Sequence, residues 1–121
     1  MTAEFVLQLD EGMLDYFREM ASEMVERFGI SRAEAVARIN ERYGEMEVSA
    51  YPDLMCHELP EFWAYGAYYQ RDEEGRLPTG DADDDAAIDF TKLSIHPLPS
   101  KDSPVWTLKG EQGEQGGRDD G

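Results

Sequence analysis

The chain predicts a mainly α fold, an irregular bundle of three helices with one or two short flanking strands. Three observations lead there. Apolar residues recur at threes and fours without a break from Met13 to Phe28. Ser31-Arg-Ala-Glu34 is a capping box opening a second run. Pro60 stands where a helix tolerates proline, at the head of a third, aromatic run. If the short alternating segments between these runs pair with one another, the class becomes α+β.

Taken in order, Phe5, Leu7 and Leu9 alternate with Glu4, Val6 and Gln8, the pattern of a short strand or of an arm packed on the first helix. Asp10 is the expected N-cap, with Glu11 in the first turn. The helix then carries Met13, Leu14, Phe17, Met20, Ala21, Met24, Val25 and Phe28 inward and ends at Gly29. Its three methionines suit core filling or, alternatively, an adaptable binding surface. The second helix, Arg32 to Tyr43, turns Ala35, Val36, Ile39 and Tyr43 inward and places Arg32, Arg38 and Arg42 on its polar side. Met46, Val48 and Tyr51 suggest a second short strand before the turn at Pro52-Asp53, and Leu54, Met55 and Leu59 are expected to be buried.

The third helix is expected from Pro60 to about Gln70. Glu58 and Glu61 sit near its positive end. Phe62, Tyr65 and Tyr69 share one face, with Ala64, Ala67 and Tyr68 on a neighbouring stripe. Gly66 weakens such a helix by roughly 1 kcal/mol relative to Ala, which points to close packing or a bend at that position. Residues 71–88 read as a charged, Gly/Pro-broken mobile loop. Phe90, Leu93 and Ile95 offer a third short extended segment, Pro97, Pro99 and Pro104 bar regular helix, and Val105, Trp106 and Leu108 form an apolar hook onto the core. Residues 1–108 therefore make one domain, and 109–121, rich in Gly, Gln, Asp and Glu, are expected to be a disordered tail.

The chain carries 27 acidic against 11 basic residues, a formal charge of −16 over 121 residues. The first 70 residues hold five Arg and 14 acids, so the acidity is not confined to the tail. Such a field repels nucleic acid and anionic membrane and favours cations or basic proteins. The helix–turn–helix-like corner at Gly29-Ile30-Ser31 is not expected to read DNA, since Glu34, Glu41, Glu45 and Glu47 accompany its arginines. The single Cys, the absence of a basic n-region and the lack of a long apolar run lead to an expectation of a cytoplasmic protein.

No catalytic motif emerges. Asp81 to Lys92 has aspartates at several EF-hand positions, but Ala86 replaces the turn glycine and Lys92 the bidentate glutamate, leaving weak cation binding at most. Cys56, His57 and His96 offer the residue types of a metal site or, for Cys56 and His96, of a nucleophilic pair. Adjacent Cys56 and His57 are poorly spaced for one ion, and His57-Glu58 lacks a second His four residues on. No cofactor and no enzymatic activity are expected.

Phe28-Gly-Ile-Ser-Arg-Ala-Glu-Ala-Val-Ala-Arg-Ile-Asn40 followed by His57-Glu-Leu-Pro-Glu-Phe-Trp-Ala64 resembles a group of small, uncharacterised bacterial proteins that pair an Arg-Ile-Asn helix with a His-Glu-x-Pro-Glu-x-Trp-Ala segment. That resemblance covers about a third of the chain and transfers no catalytic residue. In style rather than motif the chain also resembles the immunity partners of bacterial polymorphic toxins, which implies an acidic protein that binds a basic one. The expectation is thus an interaction protein whose partner-binding residues are His57, Glu58, Glu61, Trp63, Tyr65 and Tyr68, the acids steering association and the aromatics anchoring it. The alternatives are an accessory domain that self-associates as a homodimer, or a small enzyme or metal binder around Cys56, His57 and His96.

Overall fold

The computed structural model describes residues 4–108; the expected disordered tail lies outside them. Three helices, α1 (Glu11–Phe28), α2 (Arg32–Tyr43) and α3 (Pro60–Tyr68), pack on one another, with α1 touching both of the others. Each starts where local chemistry dictates. The Asp10 carboxylate accepts from the Met13 amide, and Ser31 Oγ accepts from the Glu34 amide. Pro60 is the first residue of α3, where no intrahelical N–H is lost. Gly29 ends α1 in the left-handed region at φ 68°, a conformation that favours glycine. α3 stops at Tyr68 rather than Gln70, because Tyr69 turns extended to make a single bridge with Ile95.

The core joins Phe17, Met20 and Met24 of α1, Val36 and Ile39 of α2, Ala64 and Ala67 of α3, and Phe5 from the leading arm. The three methionines on the stripe of α1 are all fully buried, which selects core filling over an adaptable surface. A smaller cluster forms behind α2, where Trp106 of the C-terminal hook covers Ala33 and Ala37. α2 is therefore buried on two sides. Ala33 and Ala37 face the hook, and Ala35, Val36, Ile39 and Tyr43 face the main core.

The short flanking strands are replaced by side-chain clamps. In the arm, the Val6 amide donates to Asn40 Oδ1. Asn40 Nδ2 in turn donates to the Glu4 and Val105 carbonyls, and the Thr107 hydroxyl donates to the Glu4 carbonyl. In residues 46–51, the Ser49 amide goes to Asp53 and the Tyr51 amide to Asp10. Backbone groups satisfied by side chains need no ladder. Phe90–Lys92 is a 3-10 turn capped by Asp89, so the third segment contributes only the Tyr69–Ile95 bridge.

Arg38, placed by pattern on the polar side, is instead only 7 % exposed. It pairs with Glu34, donates to the His96 carbonyl and lies over the Tyr68 ring. The bend after α3 brings residue 96 back beside α2, which covers that face. In the loop, Asp85 accepts from the Thr79 and Gly80 amides and from the Thr79 hydroxyl, and Asp72 accepts from the Arg76 backbone and side chain.

Candidate functional site

Residues 51–59 form a strap lying along the first half of α1. Tyr51 sits directly over Gly12, where a Cβ would meet its ring at 2.6 Å, so glycine permits that approach. Cys56 Sγ lies 3.7 Å from Met13 Sδ. The Tyr16 hydroxyl is 2.9 Å from the Met55 carbonyl and 2.6 Å from the Glu58 carbonyl, sharing its one proton between them. Burial pushes the Tyr16 hydroxyl well up in pKa, with a contribution from nearby Cys56, so it stays protonated and able to donate. Trp63 Nε1 donates to the same Met55 carbonyl from the α3 side, and Asp53 caps the 3-10 turn Leu54–His57.

This pinning fixes which side chains turn in. Met55 is buried, whereas Leu54 is 78 % and Leu59 66 % exposed, and Tyr51 is 57 % exposed. Leu54 and Leu59, expected in the core, are surface residues. In a 3-10 turn residues three apart eclipse, so Leu54 shares the side of His57, and His57 is exposed. Exposed Glu58 and half-buried Asp53 flank the two leucines. The Asp53 carboxyl is held below its ordinary range by the Met55 and Ser49 amides, which keeps it anionic.

The six expected partner-binding residues separate into two sets. His57 and Glu58 lie open on the strap. Tyr65 is buried, and its hydroxyl accepts from Arg27. Tyr68 stacks on Phe28 at 4.0 Å with the rings nearly parallel, and Trp63 is half-buried edge-on to Tyr43 and Phe62. Glu61 tucks beneath Gly80 and faces Arg27 at 3.9 Å. Tyr65 is thus a packing residue, not an exposed anchor, because the C-terminal half of α3 closes onto the end of α1. Sequence reasoning missed Tyr51, Leu54 and Leu59 as surface residues.

Cys56, His57 and His96 are not assembled into a site. Cys56 meets Met13 on α1, whereas His96 lies with Arg38, Arg42 and Ala67 around a hollow beside α2. No group of three His, Cys, Asp or Glu suited to a metal occurs among the described residues. His96 Nε2 is buried without a hydrogen-bond partner. Desolvation, then Arg42 and Arg38, lower its pKa, outweighing Glu41 and the Gly66 backbone. No helix among the described residues is long and apolar enough to cross a membrane. Comparison with family models, curated proteins and solved structures gave no match.

Proposed function

We propose that this chain is an acidic interaction protein that binds a basic partner protein, in the manner of an immunity-like inhibitor, through the strap at residues 51–59. The observation that carries the reading is the pair of open leucines, Leu54 and Leu59, on a segment whose backbone is pinned to α1 and α3. Leaving a leucine in water forgoes about 1.5–3 kcal/mol of burial. A single exposed leucine is ordinary; two of them and Tyr51, all exposed within nine residues, are apolar surface of the kind that partners cover. Carboxylates at Asp53 and Glu58 and the charge of −16 supply steering toward a basic surface. A strap already held in place loses little freedom on binding, which favours affinity.

The test is affinity capture from the native cell extract at low salt, followed by a high-salt wash. The reading expects one basic protein, recovered stoichiometrically and released by salt. Recovery of the bait alone, with light scattering reporting a dimer, would transfer the leucines to a self-associating accessory domain.

A further inference from the structure

Residues 4–108 contain seven arginines. Five are held by carboxylates: Arg18 and Arg32 by Glu4, Arg27 by Glu23, Arg38 by Glu34 and Arg76 by Asp72. In so acidic a chain, pairing is the expected fate of a guanidinium. The two exceptions among the described residues, Arg42 and Arg71, line one cleft of about 360 Å³ between the end of α2, α3 and the loop that follows it. Arg71 donates to the Gly75 carbonyl. Both guanidinium-bearing residues are exposed.

The rest of the lining is aromatic and apolar. Tyr43, Phe62 and Trp63 supply rings, Leu77 an aliphatic wall, and no lining residue is acidic. Gly66 also lines the cleft, and a Cβ there would meet the Tyr43 hydroxyl at 2.7 Å. The absent side chain lets that hydroxyl reach the Trp63 carbonyl, which fixes the Tyr43 ring, while the indole N–H bond to the Met55 carbonyl fixes the Trp63 ring. Burial pushes the Tyr43 hydroxyl up to about 12, so it adds no negative charge to the cleft.

We propose that this cleft binds a small organic anion, a carboxylate carried on a flat aromatic body. The guanidinium fork matches a carboxylate in shape and charge, and rings accept a flat apolar group by stacking or edge contact. The volume is at the lower end of the range for small-molecule sites, about 300–1,000 Å³. Asp85, bonded to Thr79 at the rim, opposes an anion, and the field of the acids farther off is screened over about 8 Å at physiological salt; the two arginines line the cleft itself.

The experiment titrates the full chain with naphthalene-2-carboxylate and, as a neutral control, naphthalene-2-carboxamide, following backbone and indole N–H signals by NMR. The carboxylate is expected to bind saturably, to shift the Trp63 indole signal, and to bind at least about tenfold more tightly than the amide, the factor that 1.4 kcal/mol represents. Arg42→Gln and Arg71→Gln break no ion pair and are expected to keep the spectrum of the folded chain. Each is expected to weaken the carboxylate about tenfold, one charge-assisted contact, with the amide unchanged. Equal binding of acid and amide, no saturation by about 10 mM (a free energy near 3 kcal/mol), or unchanged affinity in both variants would overturn the proposal.

Discussion

The strap and α3 are consecutive in the chain and are tied by hydrogen bonds from the Trp63 indole to the Met55 carbonyl and from the Phe62 amide to the Leu59 carbonyl, yet they treat apolar side chains in opposite ways. On α3, Ala64, Tyr65 and Ala67 are covered, and Tyr68 is stacked on Phe28. On the strap, Leu54 and Leu59 face water although Met55 between them is buried. Aromatic content alone would have placed the binding surface on α3. What distinguishes the two is what holds them. α3 is held by its side chains, so those side chains are spent on the fold. The strap is held largely through its backbone carbonyls, by Tyr16 and Trp63, which leaves Leu54 and Leu59 uncovered.

Replacing side chains that the fold uses sharpens this contrast. Phe17→Ala, at a fully buried site of α1, is expected to lower unfolding free energy by about 3–5 kcal/mol, read by urea denaturation. Arg38→Ala removes a buried guanidinium from Glu34, the His96 carbonyl and the Tyr68 ring. A loss of about 1–3 kcal/mol is expected, since Glu34 keeps some access to water. Tyr16→Phe removes the hydroxyl that holds the strap and should cost about 1–2 kcal/mol, with faster amide exchange in residues 54–59 than in α3. If exchange in α3 rose as much as in the strap, the two would be one cooperative unit and the contrast would fail. Leu54→Ser and Leu59→Ser should each change stability by less than about 0.5 kcal/mol.

The smallest effect is electrostatic. His96 is set against Arg38, Arg42 and Glu41 and the Gly66 backbone, with its pKa lowered from 6.5. The folded chain therefore binds fewer protons there than the unfolded chain. Its stability contribution is whole above pH 6.5 and declines as pH falls through the folded value. His96→Gln should flatten stability against pH in that window, as followed by denaturation at several pH values above the range where carboxylates titrate.

The helices were legible because their signals are local. Asp10, Ser31 and Pro60 mark starts that the chain uses, and the Met13-to-Phe28 spacing forms the buried stripe of α1. The buried face of Arg38 was not legible, since it depends on residue 96 returning beside α2. The absent strands follow from Asn40, Asp10 and Asp53, whose side chains satisfy amides far away or around a turn. Period-two alternation carries no notice of such competition. At the candidate site, His57 and Glu58 lie exposed on the strap, whereas Leu54 and Leu59, expected in the core, face water. The three-residue offset of Leu54 from His57 was the available signal, once Asp53 and Pro60 confine the turn between them.

The most direct test is parallel capture at low salt with the wild type, the Leu54→Ser/Leu59→Ser double variant and Tyr68→Ala, each first shown to be folded by circular dichroism. The account predicts that the double variant loses the basic partner while Tyr68→Ala, though less stable, retains it. Retention by the double variant and loss by the folded Tyr68→Ala protein would return the binding surface to α3 and contradict the assignment to the strap.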